Sequence, residues 1–359
     1  MDKRSISLLN EIIRLYGNEH INANTVAREM GSDYQIALMR NGTKVSGNIY
    51  SIPNVLLEDV VEEKSNYSDK ITDFIHNDNL VPSFDPNYVP FGCYNEVLTV
   101  IKSNVFLPIY IVGESGNGKT LGVEQACVNA NRELVCFNLT NETTEEDLMG
   151  SFILNNGNMI WKDGPVLVAM RRGAILLLDE IDQATTNVMC LQNILQNKPY
   201  YVKKTNEMVF PKTGFTVIAT ANTKGDGDGS DRFVGANVMN EAFLERFNVV
   251  IEQDYPPTHV EAKILKMFCT DDDYVINLVR WAKLIRDNYK VGAIERCITT
   301  RRLVQIVKNY NVFKHKNNAI AYALNRFDNS IKEAMIDYYK SMSSIKDWKD
   351  NLESDIKHI

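Results

Sequence analysis

The sequence predicts an α/β fold: a parallel sheet sandwiched by helices, with a helical region after it and a small helical module before it. Three observations carry that expectation. Apolar, strand-like runs at 107–112, 134–139, 174–179 and 215–220 alternate with helical patterns, and such alternation points to a parallel sheet. The first run, Leu107-Pro-Ile-Tyr-Ile-Val112, leads into Gly113-Glu-Ser-Gly-Asn-Gly-Lys119-Thr120, which fits G-x-x-x-x-G-K-[ST]. The third run ends in two adjacent carboxylates, Asp179 and Glu180. Sheets of this kind bind ligands at the C-terminal ends of their strands.

Residues 1–53 read as a small separate module. Helical spacing over Ser7–Tyr16, Asn24–Met30 and Asp33–Arg40 stops at Gly17, Gly31 and Asn41-Gly42, and 44–52 reads as a strand. Three short helices and a strand suggest a helix-turn-helix or winged-helix-like arrangement. Basic residues barely outnumber acidic ones there, so protein docking is at least as well supported as DNA binding. Residues 54–81 read as a linker, polar and acidic over 58–69. A proline-punctuated lead-in at 81–92 opens the α/β core, taken as 82–254. After Tyr255-Pro256-Pro257 the pattern is helical. Amphipathic segments at 259–269, 274–289, 299–314 and 318–343 predict a helical lid and C-terminal helices over 255–359.

The chain has 359 residues, 44% of them hydrophobic and 24% charged, enough for a large core and two or three domains. A net charge of −7 argues against a whole-surface nucleic-acid binder, although a local basic patch stays open. No apolar run approaches the roughly 20 residues of a membrane span, and the N-terminus does not read as a signal sequence. The cysteines at 93, 127, 136, 190, 269 and 297 form no C-x-x-C pair. Buried free thiols in a reducing cytoplasm are expected.

The chemistry follows from the motifs. Glycines let backbone N–H groups close around phosphate oxygens, and a helix starting at Leu121 adds partial positive charge at its N-terminus. We expect Gly113, Glu114, Ser115, Gly116, Asn117, Gly118, Lys119, Thr120 and Leu121 to hold a nucleotide, with Lys119 on the β- and γ-phosphates and Thr120 on Mg²⁺. Asp179 is expected to hold Mg²⁺ and Glu180 to polarise an attacking water. Asn222, at the end of Phe215-Thr-Val-Ile-Ala-Thr-Ala-Asn222, is placed to orient that water or sense the γ-phosphate. Arg246, in Glu241-Ala-Phe-Leu-Glu-Arg246-Phe247, suits an arginine acting on a neighbouring subunit's nucleotide. Arg301, in Thr299-Thr300-Arg301-Arg302, is placed to reach the nucleotide from the lid. Hairpins are expected over 151–161, around Asn156-Gly157, and over 199–214. The second carries Tyr200, Tyr201, Lys203 and Lys204 as candidates to grip a client or nucleic acid.

This order of motifs resembles the AAA+ ATPases, most closely the MoxR branch and within it the cobaltochelatase ATPase-subunit type. Asn138-Leu-Thr, Glu146-Asp-Leu-Met-Gly150, Trp161-Lys-Asp-Gly-Pro-Val166 and Gly225-Asp-Gly-Asp-Gly229 support that branch. The resemblance covers residues 82–310. Leu244-Glu-Arg-Phe247 carries Glu where the family often has Asp, and the adjacent Arg301 and Arg302 both fit the lid arginine, with Arg301 preferred because Thr300 precedes it. The resemblance implies ATP hydrolysis with Mg²⁺, a homo-oligomeric ring, usually a hexamer, and a protein client. In this branch the client is often a protein with a von Willebrand factor A domain. It puts Tyr88 and Val89 near the adenine. Metal chelation does not transfer with the motifs, and action on DNA or a nucleoprotein complex through residues 1–53 is the alternative.

Overall fold

The computed structural model describes residues 8, 9, 12, 20–41, 43–51, 79–155, 157–227 and 235–343. It divides into two compact units, Met1–Asn79 and Leu80–Ile359.

In the first unit β1 (Ile21–Asn22) runs into α1 (Ala23–Glu29), followed by α2 (Ser32–Asn41), β2 (Thr43–Ser46) and β3 (Ile49–Ser51). Asn22 caps α1, its Oδ1 accepting from Asn24 N at 2.9 Å, as a short polar side chain at a helix start does. Leu9, Ile12, Val26, Leu38 and Tyr50 form a small core. The single strand expected over 44–52 is instead a hairpin. Gly47, at φ +49°, turns the chain so that Lys44 lies opposite Tyr50, and β1 makes a third strand in the order β1-β3-β2. Most of the expected first helix and the whole 58–69 segment lie outside the described residues.

The second unit opens with extended chain and α3 (Tyr94–Ser103). It continues through β4 (Ile109–Val112), α4 (Lys119–Ala130), β5 (Leu134–Asn138), α5 (Glu145–Met149), β6 (Gly150–Asn155), β7 (Asn158–Asp163), α6 (Pro165–Arg172) and β8 (Ile175–Asp179). Short 3₁₀ turns over 181–196 precede β9 (Tyr200–Val202), β10 (Glu207–Val209), β11 (Thr216–Ala221), α7 (Glu241–Leu244) and β12 (Val249–Glu252). The sheet order is β12-β4-β11-β8-β5, parallel throughout. Strands β4, β8 and β11 are buried along almost their whole length and mostly apolar, because helices cover both their faces. Alternate residues feed separate cores. Leu176, Leu178 and Val217 pack with Val166 and Met170 of α6; Ile175, Leu177 and Ile218 pack with Val97 of α3 and Val123 of α4.

The fifth strand, β12, is absent from the four runs read in the sequence. It lies at a sheet edge with alternating half-buried and exposed residues, so its apolar signal is diluted. The cysteine expectation is corrected at β5, the other edge. All six thiols are free, and Cys93, Cys127 and Cys269 are buried, but Cys136 is exposed because an edge strand is not covered on both sides.

The lid consists of α8 (Thr258–Lys266), α9 (Asp272–Lys290), α10 (Thr300–Phe313), α11 (Lys316–Leu324) and α12 (Asn329–Ser343). It has its own core around Trp281, Leu278, Ile285, Leu303 and Ile306. The segment read as one helix over 318–343 is two. Phe327 N donates to Leu324 O at 2.9 Å in a turn that lets Leu324 and Met335 enter the same core. Among the described residues, no helix is long and apolar enough to cross a membrane.

Candidate functional site

The 113–120 loop leaves the sheet where Gly113 N donates to Ala221 O of β11 at 3.2 Å. Gly113 passes so close to the neighbouring chain that a Cβ there would lie 2.1 Å from Gln253 O. Only a glycine fits without displacing backbone. Gly118, at φ +89°, caps α4. Gln253 staples the loop to the end of β12. Asn117 Nδ2 donates to Gln253 O at 2.6 Å, Gln253 Nε2 donates to Asn117 O at 3.1 Å, and Cys93 Sγ donates to Gln253 Oε1 at 2.7 Å. The loop is thus fixed around the N-terminus of a 12-residue helix, whose unpaired N–H groups and dipole favour an anion.

Lys119 Nζ donates to Gly113 O at 2.6 Å and Glu114 O at 3.0 Å, and lies 3.4 Å from Asn222 Oδ1. Burial lowers its pKa to about 8, partly offset by Asp179 and Asp182. Thr120 Oγ1 donates to Asp179 Oδ1 at 3.0 Å, and the Thr220 hydroxyl donates to the same carboxylate oxygen. Glu180 is left-handed at φ +57°, a conformation that costs a side-chain-bearing residue and tends to collect at functional sites. Its Oε2 accepts from Gln183 Nε2 at 2.7 Å. Burial, then Asp179 and Asp182, push its carboxyl above the ordinary glutamate range. The backbone of Asn222 is held from below by Asp182, which is fully buried. Asp182 Oδ2 accepts from Asn222 N and Thr223 N, each at 2.9 Å, and from Thr223 Oγ1 at 3.1 Å.

Thr220 and Asp182 were not singled out in the sequence. Period-two alternation does put Thr220 on the same side of β11 as Asn222, and Asp182 follows Glu180 by two residues. Neither signal names a partner.

The phosphate loop and the strand ends border one cleft of about 470 Å³, a size that suits a small-molecule ligand. It brings together the loop from Ser115 to Leu121, Asp179, Glu180, Asn222 and Arg301, with Tyr88 and Val89 at the lead-in. Gly113 and Glu114 do not line it; their carbonyls hold Lys119. Ile264, Phe268 and Val304 supply an apolar wall from the lid. The two adjacent arginines diverge. Arg301 lines the cleft, whereas Arg302 lies over the Phe327 ring at 5.3 Å and donates to Ala323 O at 2.5 Å. Arg246 does not line its own cleft. It donates to Ala242 O, and its buried Nε has no hydrogen-bond partner among the described residues.

The two hairpins stand as β6–β7 and β9–β10, with Asn155 opposite Asn158 and Tyr200 opposite Val209. Asn156 lies outside the described residues. Tyr200 Oη donates to Glu145 Oε1 at 2.5 Å, and Lys204 pairs with Glu146. Those two side chains are therefore engaged with α5, while Tyr201 and Lys203 remain exposed.

A strand-end cleft with a lysine-bearing phosphate loop and paired carboxylates defines a P-loop nucleotide hydrolase. The AAA domain family (dynein-related subfamily) matches residues 108–247. The chain is 25% identical over 294 residues to the aerobic cobaltochelatase subunit CobS of Sinorhizobium sp, covering 77% of this chain and 87% of that one. It is 29% identical over 222 residues to protein NorQ of Paracoccus denitrificans, covering 61% and 78%. It is 30% identical over 225 residues to an uncharacterized protein of Staphylococcus saprophyticus, covering 59% and 81%. The chain belongs to the AAA+ ATPases of the MoxR branch, and its activity is ATP hydrolysis.

Proposed function

We propose that the chain is a Mg²⁺-dependent ATPase subunit of a cytoplasmic ring, with nucleotide held between neighbouring copies, and that its cycle remodels a protein partner. The convergence of Lys119, Thr120, Asp179, Glu180 and Asn222 in one cleft carries this reading. In it, the N–H groups of the loop grip the phosphates. Lys119 exchanges the carbonyls of Gly113 and Glu114 for phosphate oxygens. Glu180 accepts a proton from the attacking water, and Asn222 orients that water beside the γ-phosphate. Arg301 meets the phosphates from the lid.

The Thr120 hydroxyl and the Asp179 carboxylate fit Mg²⁺, being two hard oxygen donors 3.0 Å apart. Mg²⁺ usually takes few protein ligands and keeps water and phosphate oxygens for the rest. Bound there, it would neutralise charge on the β- and γ-phosphate oxygens.

Arg246 sits off its own cleft with a buried, unpartnered Nε, which supports a role on the nucleotide of an adjacent copy. Hydrolysis then depends on assembly. A protein client is supported by exposed apolar side chains on both hairpins: Phe152, Leu154 and Met159 on β6–β7, and Tyr201 and Met208 on β9–β10. It is also supported by similarity to a protein named as one subunit of a larger enzyme.

Glu180→Gln tests the catalytic assignment. ATP binding should persist and turnover should fall; hydrolysis at the parental rate would sink it. The same variant, held in ATP, should retain a protein partner in a pull-down. If it enriches no protein over an ATP-free control, the client reading fails. Nucleic acid retained through residues 1–53 would favour action on a nucleoprotein complex instead.

A further inference from the structure

We propose that Tyr255, Arg286 and Glu261 form a relay that ties the phosphate loop to the first turn of α10 and so positions Arg301 over the cleft. The proposal rests on the reading that Arg301 meets the nucleotide phosphates. The relay begins at the loop, where Tyr255 Oη donates to Ser115 O at 3.1 Å. The Arg286 guanidinium lies over the Tyr255 ring, 4.0 Å from its centroid. That guanidinium donates through Nη1 and Nη2 to the two oxygens of Glu261, at 3.0 and 2.7 Å, and through Nε to Ile298 O at 2.7 Å. Glu261 Oε1 also accepts from Thr300 Oγ1 at 2.6 Å. Thr300 directly precedes Arg301. The loop touches the same turn a second time, Arg301 N donating to Gly116 O at 3.3 Å.

Physical cost argues that this arrangement has a use. Glu261 and Arg286 are 1% and 7% exposed. Burying an ion pair costs desolvation that its attraction offsets only with good geometry and full hydrogen bonding. An apolar pair would hold the lid core as well. Neither side chain lines the cleft, so neither acts on nucleotide directly. What the pair supplies is direction. A bidentate guanidinium–carboxylate contact fixes angle as well as distance, and the aromatic face adds a cation–π contact. Apolar packing of α8 against α10 would let the helices slide. The relay locks the α10 turn to a defined position of Ser115 and Gly116 in the phosphate loop. Tyr255, Arg286 and Glu261 are therefore positioning residues acting through Arg301.

The test measures affinity of the full chain for ADP and for a non-hydrolysable ATP analogue, in Tyr255→Phe, Arg301→Ala and the double variant. Each single variant should weaken the ATP analogue relative to ADP by about three- to tenfold, roughly the worth of one hydrogen bond. The double variant should lose no more than Arg301→Ala alone, because residues acting through one another are not additive. Losses that multiply in the double variant would overturn the relay and leave the Arg301 reading standing. An unchanged ATP-to-ADP ratio in Arg301→Ala would overturn that reading and the relay with it. Glu261→Gln keeps an acceptor for Thr300 but loses the charge, and should give a partial loss confined to the ATP analogue. An equal loss of ADP affinity there, the mark of a purely structural lesion, would contradict the proposal.

Discussion

The sheet wall of the cleft presents Asp179, Glu180 and Asn222 from the ends of β8 and β11, adjacent strands in register from Thr216 opposite Ile175 to Ala219 opposite Leu178. The lid wall presents Arg301 from the first turn of α10, supported by a buried ion pair between helices α8 and α9. The sheet side is held by the strand ladder, in which Asp179 pairs opposite Asn138 and accepts from Thr220, while Glu180 follows directly and accepts from Gln183. The lid side has no ladder to rely on, and its alignment rests on a few directional contacts. On the proposed function, the chemistry that needs a fixed geometry would sit on the sheet, and the part that responds to phosphate on the lid.

Removing the Glu180 carboxylate from the sheet wall should produce the largest effect. Glu180→Gln should lower kcat by about 10²–10⁴-fold, the usual range for a general base, with nucleotide affinity kept and thermal stability little changed. Steady-state hydrolysis together with a binding titration separates the two. On the lid side, Glu261→Ala leaves Arg286 buried and unpaired. It should destabilise the protein by about 3–5 kcal/mol, read as a shifted midpoint in urea. An equal shift from Glu180→Gln would erase the distinction between the walls.

A smaller effect concerns pH. Lys119 has its pKa lowered by burial from 10.5 to about 8, so it loses its charge in the nucleotide-free protein as pH rises through 8. Phosphate binding favours the charged form, and ATP affinity should be flat below about pH 7. Above pH 8 it should fall by up to about tenfold per unit, because binding must then take up a proton. The linkage to folding has the opposite sign. Between about 8 and 10.5 the unfolded chain holds the proton and the folded one does not, so this lysine's contribution makes stability rise with pH there. Affinity titrations across pH 6.5–9.5 check the first statement and urea midpoints across the same range check the second. A Lys119→Arg variant should remove both slopes.

The sheet wall was readable in the sequence because its chemistry lies in contiguous motifs. Gly113–Thr120, Asp179-Glu180 and Asn222 each sit at the end of an apolar run, and period and spacing locate them. The supporting groups were not readable. Asp182 and Thr220 act through hydrogen bonds to residues 40 and 41 positions away, and no local pattern names such a partner. The edge strand β12 escaped because half its residues face solvent. The break between α11 and α12 escaped because Asn325–Asp328 interrupts the helical period too briefly. The lid wall was the least legible. Adjacent Arg301 and Arg302 both fit the motif, and only the third dimension turns Arg301 into the cleft and Arg302 onto Phe327. Glu261 and Arg286 are 25 residues apart on different helices, and Tyr255 is 140 residues from Ser115, so the relay leaves no trace in sequence periodicity.

In the proposed ring, a complete catalytic site is shared between two copies, with Glu180 from one and Arg246 from the next. Mixing two inactive variants tests it most directly. Glu180→Gln and Arg246→Ala should each bind ATP and hydrolyse it poorly alone. In a mixed assembly, a subunit with intact Glu180 can receive Arg246 from a Glu180→Gln neighbour, and ATPase activity should reappear, rising to a maximum near equal proportions. Mixtures that assemble but stay as inactive as either parent, or an Arg246→Ala protein with full activity alone, would contradict the shared site.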